Sequence, residues 1–97
     1  MKEQQIQSKI INDLHSMGAY VVKVISASKD GVPDIIGCIN GLFFAIEVKK
    51  DAKCKATKLQ MLNLDRISKS KGLSFVSYGY DDYTNNIKPI LMEVIND

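Results

Sequence analysis

Ile6, Ile10 and Leu14 recur every four residues, and Ile11 and Met17 widen the stripe, so residues 3–17 read as an amphipathic helix stopped at Gly18. The period then changes. Ala19 to Ile25 is β-branched and aromatic and predicts a strand, followed by a loop of small polar residues over 26–31. Two apolar runs, Asp34 to Ile39 and Leu42 to Lys49, are separated only by Asn40-Gly41. That dipeptide favours a two-residue hairpin, because a type I′ turn needs positive φ at both central positions. Beyond a linker over 50–55, Leu59, Leu62 and Ile67, with Met61 and Leu64, supply the apolar face of a second helix; Thr57 caps its start and Gly72 ends it. Leu73 to Tyr78 predicts a fourth strand. Ile87, Ile90, Leu91, Val94 and Ile95 then predict a terminal helix with Pro89 in its first turn. The order is α-β-β-β-α-β-α. Leu42 to Ile46 is apolar at consecutive positions, so the expected α/β architecture is a mixed β-sheet flanked by helices on both faces.

The 97 residues are expected to form a single domain over 1–97, and 45% hydrophobic with 25% charged residues marks a globular chain. A core this small is marginal alone, which favours a homodimer. No apolar run approaches the ~20 residues that span a bilayer, so no membrane partner is expected. The first residues carry no apolar signal segment, and Cys38 and Cys54 lack zinc-binding spacing, so reduced thiols and a cytoplasmic location are expected. Net charge is only +2, but residues 49–71 carry +6 and the remainder −4. That asymmetry points to an anionic partner. Lys50, Lys53, Lys55 and Lys58, with Lys29 in the polar loop, are the candidate DNA-binding residues; a merely solubilising face is the competing reading. Tyr78, Tyr80 and Tyr83 offer rings for base stacking, with core and rim packing as the alternative use. No base-reading module is visible, so recognition of nucleic-acid shape is expected over recognition of sequence.

The hairpin register carries the chemistry. With Asn40 and Gly41 as the loop, Ile36 faces Ala45 and Asp34 faces Glu47, which brings two carboxylates to one face of the sheet, about 5 Å apart at Cβ. Lys49, two residues on, points the same way. Opposed like charges destabilise a hairpin, and a hard divalent cation offsets that cost while keeping sites for water and phosphate. Two acids, a lysine and a basic segment form a constellation suited to phosphodiester hydrolysis. The structural alternative is that Asp34 caps the strand while Glu47 and Lys49 form a solvated edge pair.

Gly31-Val-Pro-Asp34, the short hairpin, Glu47-Val-Lys-Lys50 and Leu59-Gln60 resemble the PD-(D/E)xK nuclease superfamily, and within it the stand-alone, virus-type VRR-NUC domains. The resemblance covers residues 3–78. It implies a restriction-endonuclease-like core and Mg²⁺- or Mn²⁺-dependent cleavage of DNA. It further implies Asp34 and Glu47 as metal ligands, the Val48 carbonyl as another, and Lys49 and Gln60 as catalytic residues. Glu3 matches an extra acid of resolvase-like members, with a solvated helix-start residue as its other reading. Small stand-alone members resemble four-way-junction resolvases, which implies a branched DNA partner, a homodimer and, for a viral protein, a bacterial host cytoplasm. A less selective flap or duplex endonuclease and a non-catalytic DNA-binding module remain as alternatives.

Overall fold

The computed structural model describes residues 1–96. Its elements are α1 (Glu3–Ser16), β1 (Tyr20–Lys23), β2 (Ile35–Ile39), β3 (Leu42–Lys49), α2 (Lys58–Lys69), β4 (Leu73–Tyr78), and a C-terminal helical run. That run comprises α3 (Tyr80–Asp82), a π-helical turn (Tyr83–Ile87) and α4 (Lys88–Asn96). The four strands form one sheet in the order β1-β2-β3-β4. The first three are antiparallel neighbours, and β4 joins β3 in parallel through the α2 crossover.

The hairpin forms in the expected register: Ile39 pairs with Leu42, Cys38 with Phe43 and Ile36 with Ala45. Asn40 and Gly41 take φ of 50° and 82°, as a type I′ turn demands. Alternation along β3 then sorts its side chains. Phe44, Ile46 and Val48 enter a core with Ile6, Ile10 and Leu14 of α1 and Tyr83, Ile87 and Leu91 of the C-terminal run. Ala45 and Glu47 turn to the opposite face and are buried there.

Two expectations are corrected. Leu59, Met61 and Leu62 are 45–50% exposed, so the apolar face of α2 is not the one that the leucine spacing picks out. The helix lies over β4 and the later part of β3 with Asn63 and Leu64 buried, and leaves open the outer surface of β1, β2 and the start of β3, with Tyr20 and Phe43 exposed. The sheet is therefore covered fully on one face and partly on the other. The terminal helix also begins earlier, at Tyr80. The Lys88 N–H reaches back five residues to the Tyr83 carbonyl, immediately ahead of Pro89. A proline ring meets the carbonyl four residues back in a regular helix, and a widened turn relieves that contact.

Tyr83 is fully buried, and its hydroxyl donates to Asp13 Oδ2 at 2.7 Å, while Lys88 Nζ donates to Asp13 Oδ1 at 3.0 Å. Burial first, then the Asp13 carboxylate, push the Tyr83 phenol far above its ordinary range. Its ring belongs to the core, which answers the stacking question for this tyrosine. Tyr78 is 40% exposed beside the basic linker, and Tyr80 carries Lys9 Nζ 4.5 Å above its ring centroid.

Candidate active site

Asp34 stands one residue before β2, and Glu47 lies one residue past the last paired position, Ile35 with Ile46, so the two acids meet at the open end of the hairpin. Asp34 is held on both sides. Its carbonyl accepts from Val24 N–H at 2.8 Å, and its Oδ2 accepts from Val48 N–H at 2.8 Å. Glu47 is 2% exposed, which rules out the solvated edge pair. Its Oε2 accepts from Gln60 Nε2 at 3.2 Å and faces Lys49 Nζ at 3.5 Å. The other oxygen, Oε1, is buried with no hydrogen-bond partner.

Burial, and then the neighbouring Asp34 carboxylate, push Glu47 up to about 8; Lys49 offsets only part of this. A buried carboxylate with one idle oxygen, next to a second carboxylate, is a donor set that suits a hard divalent cation. Among the described residues no three His, Cys, Asp or Glu side chains cluster as a metal cage. Two carboxylates supplemented by backbone and water oxygens fit Mg²⁺, which keeps several waters.

Gln60 is fixed from the other side. Thr57 Oγ1 accepts from Gln60 N–H at 3.1 Å, and Gln60 Oε1 accepts from Thr57 N–H at 2.8 Å, a reciprocal capping box at the start of α2. The amide oxygen is thereby committed to the cap and the amide nitrogen turned to Glu47. The Thr-x-x-Gln spacing is the signal for this device, and reading Thr57 only as a cap misses it.

Glu3 comes to the same end of β3 by a different route, its Oε2 accepting from Lys50 N–H at 3.2 Å. It is thus bound to the strand's backbone, and among the described residues no hydrogen bond joins it to Asp34 or Glu47. Lys50, Lys53, Lys55 and Lys58 are exposed on the linker and the first turn of α2, and Lys29 on the loop before Gly31. None of the five belongs to an ion pair among the described residues. Gly31, at φ 79°, sits so close to α2 that a Cβ would lie 2.7 Å from the Leu59 side chain, and Asn63 Nδ2 donates to the Asp30 carbonyl at 3.3 Å. These contacts clamp the loop that delivers Asp34 onto α2. Asn63 is a further residue that hydrophobic spacing passes over, its only signal being a polar residue inside a helix.

No family model and no curated protein sequence matches the chain. Solved structures do. One named "VRR_NUC domain" superposes with a TM-score of 0.78 at 24% identity, over 89% of this chain and 94% of its own. Another, "VRR_NUC domain protein", superposes with a TM-score of 0.79 at 20% identity, over 97% and 90%. The chain has the fold of a VRR_NUC domain. On that fold the hairpin end carries Asp34, Glu47 and Lys49, and α2 supplies Gln60 from above. The sheet is partly open because a single crossover helix covers only the β3–β4 half of its outer face.

Proposed function

We propose that the protein is a metal-dependent endodeoxyribonuclease of the VRR-NUC family. The observation that carries this reading is the buried, unpartnered Glu47 Oε1 beside Asp34. Asp34, Glu47 and the Val48 carbonyl would hold Mg²⁺ or Mn²⁺. The Val48 N–H faces Asp34, and in a strand the carbonyl of the same residue leaves from the same edge. When bound, the cation supplies positive charge at the scissile phosphate and a water of lowered pKa. Lys49 holds its ammonium on the carboxylate face, where it orients the attacking water or meets charge developing on a phosphate oxygen. Gln60 holds Glu47 Oε2 and leaves Oε1 to the metal. Glu3, through Lys50 N–H, steadies the end of β3 and stands as an additional acid near the site.

The finer proposal is cleavage of branched DNA, with four-way junctions as substrate and a homodimer as the working form. Symmetric cutting of two strands calls for two sites related by a two-fold axis. Exposed Ile90 and Met92 on α4 offer apolar surface for such a pairing. The test uses purified protein with four-way junction, flap and linear duplex, each with Mg²⁺, Mn²⁺ or chelator, alongside sedimentation to measure assembly. Metal-dependent cleavage of the junction is expected. Binding without cleavage under every metal would overturn the nuclease assignment, and equal cleavage of all three DNAs would overturn the junction preference.

Neutralising Lys53, Lys55 and Lys58 together is expected to weaken binding to every DNA and to flatten its salt dependence. The log–log slope should fall by about 0.9 per lost duplex phosphate contact, so by up to roughly 2.7. Binding across a salt series in Ca²⁺ measures it, and an unchanged slope would move the DNA path off this segment.

Gln60→Glu separates capping from metal binding. Glutamate retains the capping box, but the donor to Glu47 is lost and a third carboxylate intrudes, so metal-free thermal stability should fall and saturating metal should recover it. Metal affinity, measured by calorimetry, is expected to change by about 10- to 100-fold, the usual weight of groups that orient metal ligands. Thr57→Ala should cost about 0.5–2 kcal/mol of stability as well, and Thr57→Ser should restore both properties.

A further inference from the structure

Beside the acid pair, the open part of the sheet's outer face forms a cleft of about 410 Å³ against α2. Its floor is Pro33, Ile36 and Phe43, and its rim carries Lys29 and Arg66. Phe43 is a strand aromatic left 43% exposed, in a chain small enough to need every buried ring. No acidic side chain lines the cleft, and neither rim cation belongs to an ion pair among the described residues. Val32 and Pro33, directly before Asp34 in the chain, line the cleft, so it shares with the candidate active site the segment that delivers Asp34. Lys58 and Arg66 lie two helical steps of four apart on α2, which extends the basic linker toward the same rim.

From these features we infer that the cleft receives one unpaired nucleotide of the DNA substrate, its base against Phe43 and its phosphates between Lys29 and Arg66. The inference rests on the nuclease reading and deepens it. A flat apolar surface flanked by free cations matches a group that is itself flat, apolar on its faces and anionic at its edge. The volume lies within the ordinary range for small-ligand sites. A second copy of the chain fits less well, because a two-fold contact on this patch would set cations against cations with no acid to receive them. Intact duplex keeps its bases stacked inside, whereas a flap or an open branch point offers a nucleotide that costs little to extrude. The cleft is thus a source of structure preference in a protein whose described residues form no base-reading module.

The test measures affinity for duplex, flap and four-way junction of shared sequence in Ca²⁺, with 2-aminopurine at the unpaired position beside the branch. For the wild type we expect tighter binding of the branched DNAs and quenching of 2-aminopurine on binding. Phe43→Ala should weaken flap and junction binding by roughly 5- to 150-fold, abolish the quenching and leave duplex binding within about twofold. Phe43→Trp should restore both. Arg66→Gln, at an exposed position, should lower branched-DNA affinity in a chain of unchanged thermal stability. Equal affinity of the wild type for all three DNAs, equal losses on all three in the variants, or a fully fluorescent bound 2-aminopurine would each overturn the inference. So would a Phe43→Ala protein that sediments as a monomer where the wild type is a dimer, since a second copy would then fill the cleft. The expected binding pattern in a protein that cleaves nothing would support the cleft and overturn the nuclease reading alone.

Discussion

Asp34→Asn and Glu47→Gln are each expected to abolish metal-dependent cleavage while the metal-free protein stays as stable as the wild type or becomes more so. Each substitution removes a charge that the cation needs, and each also removes half of a repulsive pair. Glu47→Gln relieves more, because Glu47 is 2% exposed and folds without metal at neutral pH only by taking up a proton. The pH dependence follows in sign. Glu47 ionises at about 8 in the folded protein against an ordinary value of 4.5, so between those values the folded state keeps a proton that the unfolded chain has lost. Metal-free stability should therefore fall as pH rises through that window, by at most about 1.4 kcal/mol per pH unit from this one group, and level off above it. Glu47→Gln should remove that component of the slope, and saturating Mg²⁺ should reverse it, because the cation favours the ionised form. Cleavage rates with Mg²⁺ and thermal melts from pH 5 to 9 in chelator measure both halves. A variant that cleaves at the wild-type rate would show that the hairpin end is not the active site.

The next largest effect is expected at Lys49. Its ammonium lies 3.5 Å from Glu47 Oε2 on a side chain only 13% exposed, so it is a fixed charge rather than a mobile one. Lys49→Ala should lower the single-turnover cleavage rate by about 10²–10³-fold, comparable to losing one preorganised group at a developing anion. DNA affinity in Ca²⁺ should change far less, because the phosphate contacts are proposed for the exposed lysines of the basic linker. Lys49→Arg should recover only part of the rate, since a planar guanidinium does not reproduce a compact ammonium. A loss of affinity as large as the loss of rate would make Lys49 one more phosphate contact.

How much of this is legible in the sequence depends on whether a residue's role is set locally. The register of Asp34 against Glu47 follows from the Asn40-Gly41 turn, because a two-residue hairpin leaves one pairing and a strand repeats every two residues. The P-D…E-V-K resemblance is matched at the level of the fold, with VRR_NUC structures covering most of the chain. The apolar face of α2 was not legible, because its exposed leucines keep helical spacing whatever they pack against, and a buried Asn63 carries no periodic signal. Residues 80–87 were missed for a related reason: Tyr-Asp-Asp-Tyr-Thr-Asn-Asn has poor helix formers, and tertiary burial of Tyr83 decides its conformation. Gln60 was legible as a residue, but its orientation was not, since that depends on the cap and on a strand thirteen residues earlier.

The tie between Asp13 and the pair Tyr83 and Lys88 spans 70 and 75 residues of sequence. It has a consequence in time. Translation proceeds at about 5–20 residues per second, so the meander bearing both acids emerges roughly 2–8 seconds before residues 83–91 exist to cover the inner faces of α1 and the sheet. The hairpin that carries the two acids is thus a local, early structure inside a core that closes late. The groups that hold the two acids, Val24, Val48, Lys49 and Gln60, all precede residue 80, whereas the apolar inner face stays bare until the helical run over residues 80–96 docks. The acid pair is thus assembled from the early part of the chain, and the core behind it is closed by the last part made.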